Sequence, residues 1–209
     1  MKNKNIQLSL YINSGIEIHA FDISRKILEI FPVAGEPSIT PENAKLPAEA
    51  LLPTFSFTTN PNMIIIGNNN YLTISLSNDE LETYIKKMLD FSKIFFDNNV
   101  SFYRVGIVEN ILCDIKNKDL FMKEYLKKGI IEEAEDIEIS WLSTIETDNK
   151  KLNCWKRFIT NRNANNKLNV IVDINTKENE KNDITYEFLN IFLENSKVEM
   201  DNIVNKYDK

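Results

Sequence analysis

Between Ile137 and Ile174 the chain holds three apolar runs separated only by short polar turns, an arrangement that dictates antiparallel pairing. Ile137, Ile139, Trp141 and Ile145 share one parity. After Asp148-Asn149, Trp155 and Ile159 alternate with Cys154 and Phe158, and beyond the asparagine-rich stretch 161–166 come Leu168, Val170, Val172 and Ile174. Side chains of a strand alternate between two faces, so each run offers one face to a core. Parallel neighbours would need a crossover of a dozen or more residues, which these turns do not supply. The three runs are therefore a meander.

The first half repeats the logic. Ile6, Leu8, Leu10 and Ile12 alternate with Gln7, Ser9 and Asn13, the mark of a half-buried strand. After the turn signal Ser14-Gly15 the alternation resumes at Ile16, Ile18 and Ala20, and Asp22 is placed to cap a short helix carrying Ile23, Ile27, Leu28 and Phe31. Phe55 and Phe57, then Ile64 to Ile66, lead into the turn Gly67-Asn68-Asn69-Asn70, and Leu72, Ile74 and Leu76 return on one face. Glycine and asparagine tolerate the positive φ of tight hairpins. The turn lacks the spaced glycines and following lysine of a phosphate loop.

Two long helices follow the two sets of strands. Asp79 and Glu80 open the first, whose stripe is Leu81, Ile85, Met88, Leu89, Phe95 and Phe96, with Asp97-Asn98-Asn99 as its stop. The second runs from about Asn182 to Tyr207, with Ile184, Phe188, Ile191, Phe192, Val198 and Ile203 as its apolar stripe. A further helix is expected over 118–128, ended by Gly129. The segment 32–53 holds five of the six prolines and reads as an extended connection, with a short helical turn near Ala48 to Leu52 and a potential binding loop. The fold class is α+β: a largely antiparallel sheet in two strand-then-helix halves, about 1–98 and 99–209, within a single domain 1–209.

Val100 to Ile115 is apolar on both parities, as expected of a central or doubly covered strand. Arg104 and Glu109 interrupt it, on opposite faces unless a bulge at Gly106 shifts the register. A charge in a buried strand calls for a salt bridge to a neighbouring element, while the functional alternative is an anion-receiving pocket between sheet and helices. Arg157, near Trp155, is a lesser candidate of the same kind.

Composition narrows the function by exclusion. A net charge of −6 opposes general nucleic-acid binding, and the lysines at 123, 127 and 128 are interleaved with Glu124 and followed by acids. Cys113 and Cys154 lie far apart in apolar runs, so the expectation is buried free thiols, with neither a disulfide framework nor a zinc site. His19 is the only histidine and falls beside Glu17 on a solvated strand face. The acids Glu132, Glu133, Glu135, Asp136 and Glu138 lack the spacing of a calcium loop. Asp114 and Asp173 lie within strands and could point at a pocket, though such acids more often face solvent or hydrogen-bond locally at a strand end. No run reaches the length of a membrane span, and a cytoplasmic location with no cofactor, no nucleic acid and no membrane partner is expected.

The run Arg104-Val105-Gly106-Ile107-Val108-Glu109-Asn110, after a long helix and before a meander and final helix, resembles a sporadically distributed bacterial family of about this size without assigned activity. The likeness covers roughly Asn62 to the C-terminus. It implies a mixed sheet-and-helix domain and gives no catalytic residues to carry over. Three function classes follow. The first is a non-catalytic interaction or accessory protein, possibly a homodimer, using sheet edges or the proline-rich connection. The second is a small-ligand or anion-binding module using Arg104, Glu109 and Arg157, and the third an enzyme with dispersed carboxylates.

Overall fold

A computed structural model describes residues 3–14, 19–32, 37–39, 55–58, 62–77, 83–114, 137–147, 150–160, 167–177 and 183–207. Among them, nine strands form one sheet with every pair antiparallel: β1 (Asn3–Ile12), β2 (Ser38–Ile39), β3 (Phe55–Thr58), β4 (Met63–Gly67), β5 (Tyr71–Ser77), β6 (Phe102–Asp114), β7 (Ile137–Thr147), β8 (Lys150–Thr160) and β9 (Lys167–Thr176). The helices are α1 (Ala20–Ile30), α2 (Tyr84–Phe96) and α3 (Tyr186–Tyr207). The α+β class and the antiparallel sheet are as the alternation requires.

The strand order is β2-β3-β4-β5-β1-β6-β9-β8-β7. Two half-sheets meet at the β1–β6 pair. In each, the chain leaves the central strand, goes to the outside, and returns by a three-strand meander to pair beside it: β3, β4, β5 against β1, and β7, β8, β9 against β6. A long helix then follows each meander, α2 after β5 and α3 after β9.

One face of this sheet carries the core. Ile6, Leu8, Leu10 and Ile12 of β1, Val105, Ile107 and Ile111 of β6, Leu72, Ile74 and Leu76 of β5, and Leu168, Val170, Val172 and Ile174 of β9 are all buried. They pack with Met88, Phe91 and Phe95 of α2 and with Phe188, Leu189, Phe192 and Leu193 of α3 in one apolar cluster. Each such side chain contributes about 1.5–3 kcal/mol by leaving water, so this layer dominates stability. Both cysteines lie in it, free and buried. Lys156 Nζ of β8 meets Glu199 Oε1 of α3 at 2.7 Å, fastening that helix to the sheet.

The opposite face is polar and open among the described residues. Gln7, Ser9, Thr73 and Ser75 form a hydrogen-bonded patch there, with Ser75 Oγ donating to Gln7 Oε1 at 3.2 Å and Gln7 Nε2 to Ser9 Oγ at 3.3 Å. The strand β6 is central as expected, but the described residues place no second layer over it: Asn110 and Leu112 are exposed. Its apolar residues on both parities have a different source at the N-terminal end. The register shifts where Tyr11 pairs with Arg104 and Ile12 with Phe102, which turns Phe102 into the core against Phe96, ring centroids 5.2 Å apart.

Several local expectations hold. α2 ends through Asn99 at φ 59, the left-handed cap that asparagine tolerates, and Thr185 Oγ1 accepts the Phe188 N–H at the start of α3. Others are corrected. Ala20 is the first residue of α1 and His19 its exposed N-cap, so the alternation read through 16–20 does not continue as a strand there. In α3 the buried line is Phe188, Leu189, Phe192, Leu193, Met200 and Ile203, while Ile191 and Val198 are exposed. The proposed helix 118–128, the opening acids Asp79 and Glu80, the turn near Ala48 to Leu52 and most of the acidic run 132–136 lie outside the described residues.

Candidate protein-interaction surface

The three candidate site residues are not brought together. Glu109 faces the helices, whereas Arg104 and Arg157 lie on the open face. Arg157 pairs across the sheet with Ile171, which pairs with Asn110. Arg104 is thus six residues along β6 from the level of Arg157, roughly 20 Å at the rise of a strand. No single small anion spans both. The guanidinium of Arg104 lies over the Tyr11 ring, 5.1 Å from its centroid, with Tyr103 6.2 Å from Tyr11. Arg157 is held by Glu138, Nε to Oε1 at 2.6 Å and Nη2 to Oε2 at 2.8 Å. That bidentate pair occupies the fork an anion would need.

Glu109 is 1% exposed and forms an ion pair through Oε1 with Lys4 on the neighbouring β1. Its Oε2 is buried and has no hydrogen-bond partner among the described residues. Burial pushes its carboxyl above the usual range, Lys4 pulls it back, and the charge of Asp201 on α3 raises it further. Tyr84 of α2 is raised as well, first by burial and then by the charges of Glu109, Asp201 and Glu194. Directly across from Glu109 in β1 lies Ile6, apolar and fully buried.

The feature that sequence reasoning did not locate is the sheet's free edge. Among the described residues β7 ends the strand order and pairs on one side only, with β8. It has eleven residues, Ile137–Thr147, paired without a register shift. It contains no proline and no lysine, and its two charges, Glu138 and Glu146, lie near its ends. Natural edge strands are shielded by prolines, lysines, bulges or shortness. β7 has none of these, while the other edge, β2, is only two residues long. Glu146 pairs across the strands with Lys151 and Glu138 is held by Arg157, which leaves the middle of β7 uncharged.

Beside this edge the open face carries exposed apolar groups. Leu142 of β7 is 49% exposed and pairs with Trp155 of β8, 45% exposed, which pairs with Asp173 of β9. A shallow depression of about 440 Å³ is lined by Glu138, Ser140, Trp155, Arg157, Ile171 and Asp173. A second, apolar depression of about 450 Å³ lies between α1 and β2, around Phe21, Leu28, Pro37 and Ile39. Neither is the pocket between sheet and helices that the Arg104 reading called for.

Catalytic and metal groupings do not assemble among the described residues. His19 is exposed at a helix end, Cys154 has its thiol pushed up by burial, and no cluster of three His, Cys, Asp or Glu side chains is placed to hold a metal. No helix there is long and apolar enough to cross a membrane. Neither the protein-family models nor the curated proteins contain a match to this chain.

Proposed function

We propose that this chain is a non-catalytic interaction protein that pairs the free edge of β7 with a strand of a partner polypeptide or of a second copy. The observation that carries this reading is an eleven-residue edge strand lacking proline, lysine and bulge. Alternate residues of such an edge point their N–H and C=O groups outward. An added strand would satisfy these groups in the mode of β-augmentation. At about 1 kcal/mol net per hydrogen bond, and two bonds for each of about five outward-facing residues, a full added strand supplies on the order of 10 kcal/mol. Association costs about 4–15 kcal/mol, so backbone pairing alone gives weak, reversible binding. Affinity and choice of partner must then come from side chains beside the edge. A cytoplasmic setting suits two buried thiols that are not joined in a disulfide.

The test is a pair of proline variants at adjacent positions, Ser143→Pro and Thr144→Pro. Neighbouring residues present their N–H groups to opposite sides, so one proline breaks the β7–β8 ladder and the other removes only an outward donor. The expected result is one poorly folded variant and one with near-native melting that no longer self-associates or retains a stoichiometric partner. Retention of the same complexes by the well-folded variant would refute edge pairing.

A further inference from the structure

We infer that the depression over Trp155 and Asp173 is a receptor for a basic side chain, foremost arginine, on the polypeptide bound along β7. This deepens the edge-pairing reading and rests on it for the partner's position. Alternation in β8 turns Cys154 and Phe158 into the core and leaves Trp155 on the open face. Trp155 and Asp173 are direct cross-strand partners, so their Cβ atoms lie about 5 Å apart. An exposed indole and a carboxylate therefore line the same depression.

The electrostatics choose the ligand. Arg157 and Glu138 neutralise each other through two hydrogen bonds, leaving Asp173 as the unbalanced charge of the lining. Its carboxylate accepts the Asn175 amide at 3.0 Å and meets no cation among the described residues. An anion would face two carboxylates and an arginine already engaged, and a purely apolar group would desolvate Asp173 without return. A cation gains both the ring quadrupole of Trp155 and the charge of Asp173. Arginine fits better than lysine because its planar group stacks on an indole while donating to a carboxylate. Trp155 lies on the strand next to β7 and Asp173 on the one beyond, so the basic residue is presented by the part of the partner that lies over the open face beside the added strand, passing over Leu142. The net charge of −6 draws basic partners in the same direction.

The experiment titrates N-acetyl-arginine amide into the full chain and follows the two tryptophan indole N–H signals by NMR, with Trp155→Phe to assign them. The Trp155 signal should move saturably, less with the lysine derivative, and not with the glutamine or glutamate derivatives. Asp173→Asn, nearly isosteric and half-exposed, should weaken binding by about fivefold. Arg157→Gln should tighten it by freeing Glu138, an effect no purely structural role predicts. An unmoved Trp155 signal, equal binding by Asp173→Asn, or preference for the glutamate derivative overturns the proposal. The probe is read without any partner strand, so the outcomes separate. If it fails while β7 still mediates association, only the basic-residue receptor falls. If it succeeds in a chain whose β7 proline variant associates normally, only edge pairing falls.

Discussion

Replacing Glu109 by leucine should stabilise this protein, while replacing its partner Lys4 by methionine should destabilise it. The two ends of one ion pair thus have opposite effects. Glu109 is 1% exposed, Lys4 24%, so the carboxylate bears most of the desolvation. A buried acceptor without a hydrogen bond costs about 1–3 kcal/mol, and Oε2 is such an acceptor among the described residues. Glu109→Leu removes that cost and adds apolar surface to a wall already made of Ile107 and Ile111. It strands only an ammonium that already reaches water. Well-packed apolar replacements of buried ion pairs gain about 1–4 kcal/mol, and we expect the lower half of that range. Lys4→Met instead leaves a buried charge uncompensated, for which about 2–4 kcal/mol of destabilisation is expected. In a chain of this size each kcal/mol moves Tm by about 2–4 °C.

The pH dependence checks the cause. The folded-state carboxyl of Glu109 is raised above its unfolded value, so the folded chain holds this proton more tightly. Its stabilising contribution is therefore full below the unfolded pKa and falls as pH rises toward the folded one. In urea titrations across that window, Glu109→Gln should remove this part of the slope and Lys4→Met should steepen it. A Glu109→Leu variant more than about 2 kcal/mol less stable than the parent would refute the reasoning, because it would mean that Oε2 makes an essential interaction.

Other positions give sharper, smaller tests. At Gly67 an added Cβ would lie 2.2 Å from Phe55 Cζ and 2.9 Å from Leu72 Cδ2, so Gly67→Ala should lower stability by about 1–3 kcal/mol in chemical denaturation. Asn99, at φ 59, should accept glycine with little change, whereas Asn99→Val should cost about 1–2 kcal/mol, read as a shift in Tm. Glu199→Ala releases the half-buried Lys156 from its ion pair with α3 and should speed amide exchange in that helix before any other element.

Much of the fold was legible because its determinants are local. The alternation in 137–174 fixes strand faces, and short turns leave no choice but antiparallel pairing; both appear in the structure with the expected residues inward. Asn99 announces its cap because few side chains tolerate that backbone. Where the reading went astray, distant packing overrode a local pattern. Ala20 continues a strand-like alternation in the sequence, yet it begins a helix whose buried residues include Ile23 and Ile27, four apart. In α3 the stripe was drawn through Ile191 and Val198, although Leu189, Leu193 and Met200 lie on the face turned to the sheet. An apolar-rich helix admits either rotation, and the packing of these residues into the core, with Glu199 held by Lys156, selects one.

The candidate site was much less legible, for a reason that lies in topology. Nothing in the eleven residues of β7 says that no strand follows it; the same alternation would serve in the middle of a sheet. Its edge position exists only because β9 returns to pair with β6, which places β8 on the far side of β9 and β7 outside it. The missing prolines and lysines become informative only once that order is known. Sequence attention went instead to Arg104 and Arg157, whose charges stand out against apolar neighbours. In three dimensions both are already occupied, by the Tyr11 ring and by Glu138. In the sequence Asp173 does not stand out from other strand acids, because its neighbour across the sheet, Trp155, lies in another strand. A charge is a site only through its surroundings: the proposed contact is the carboxylate that meets no cation among the described residues beside an exposed ring, whereas Arg157 is paired with Glu138 and Arg104 lies over the Tyr11 ring.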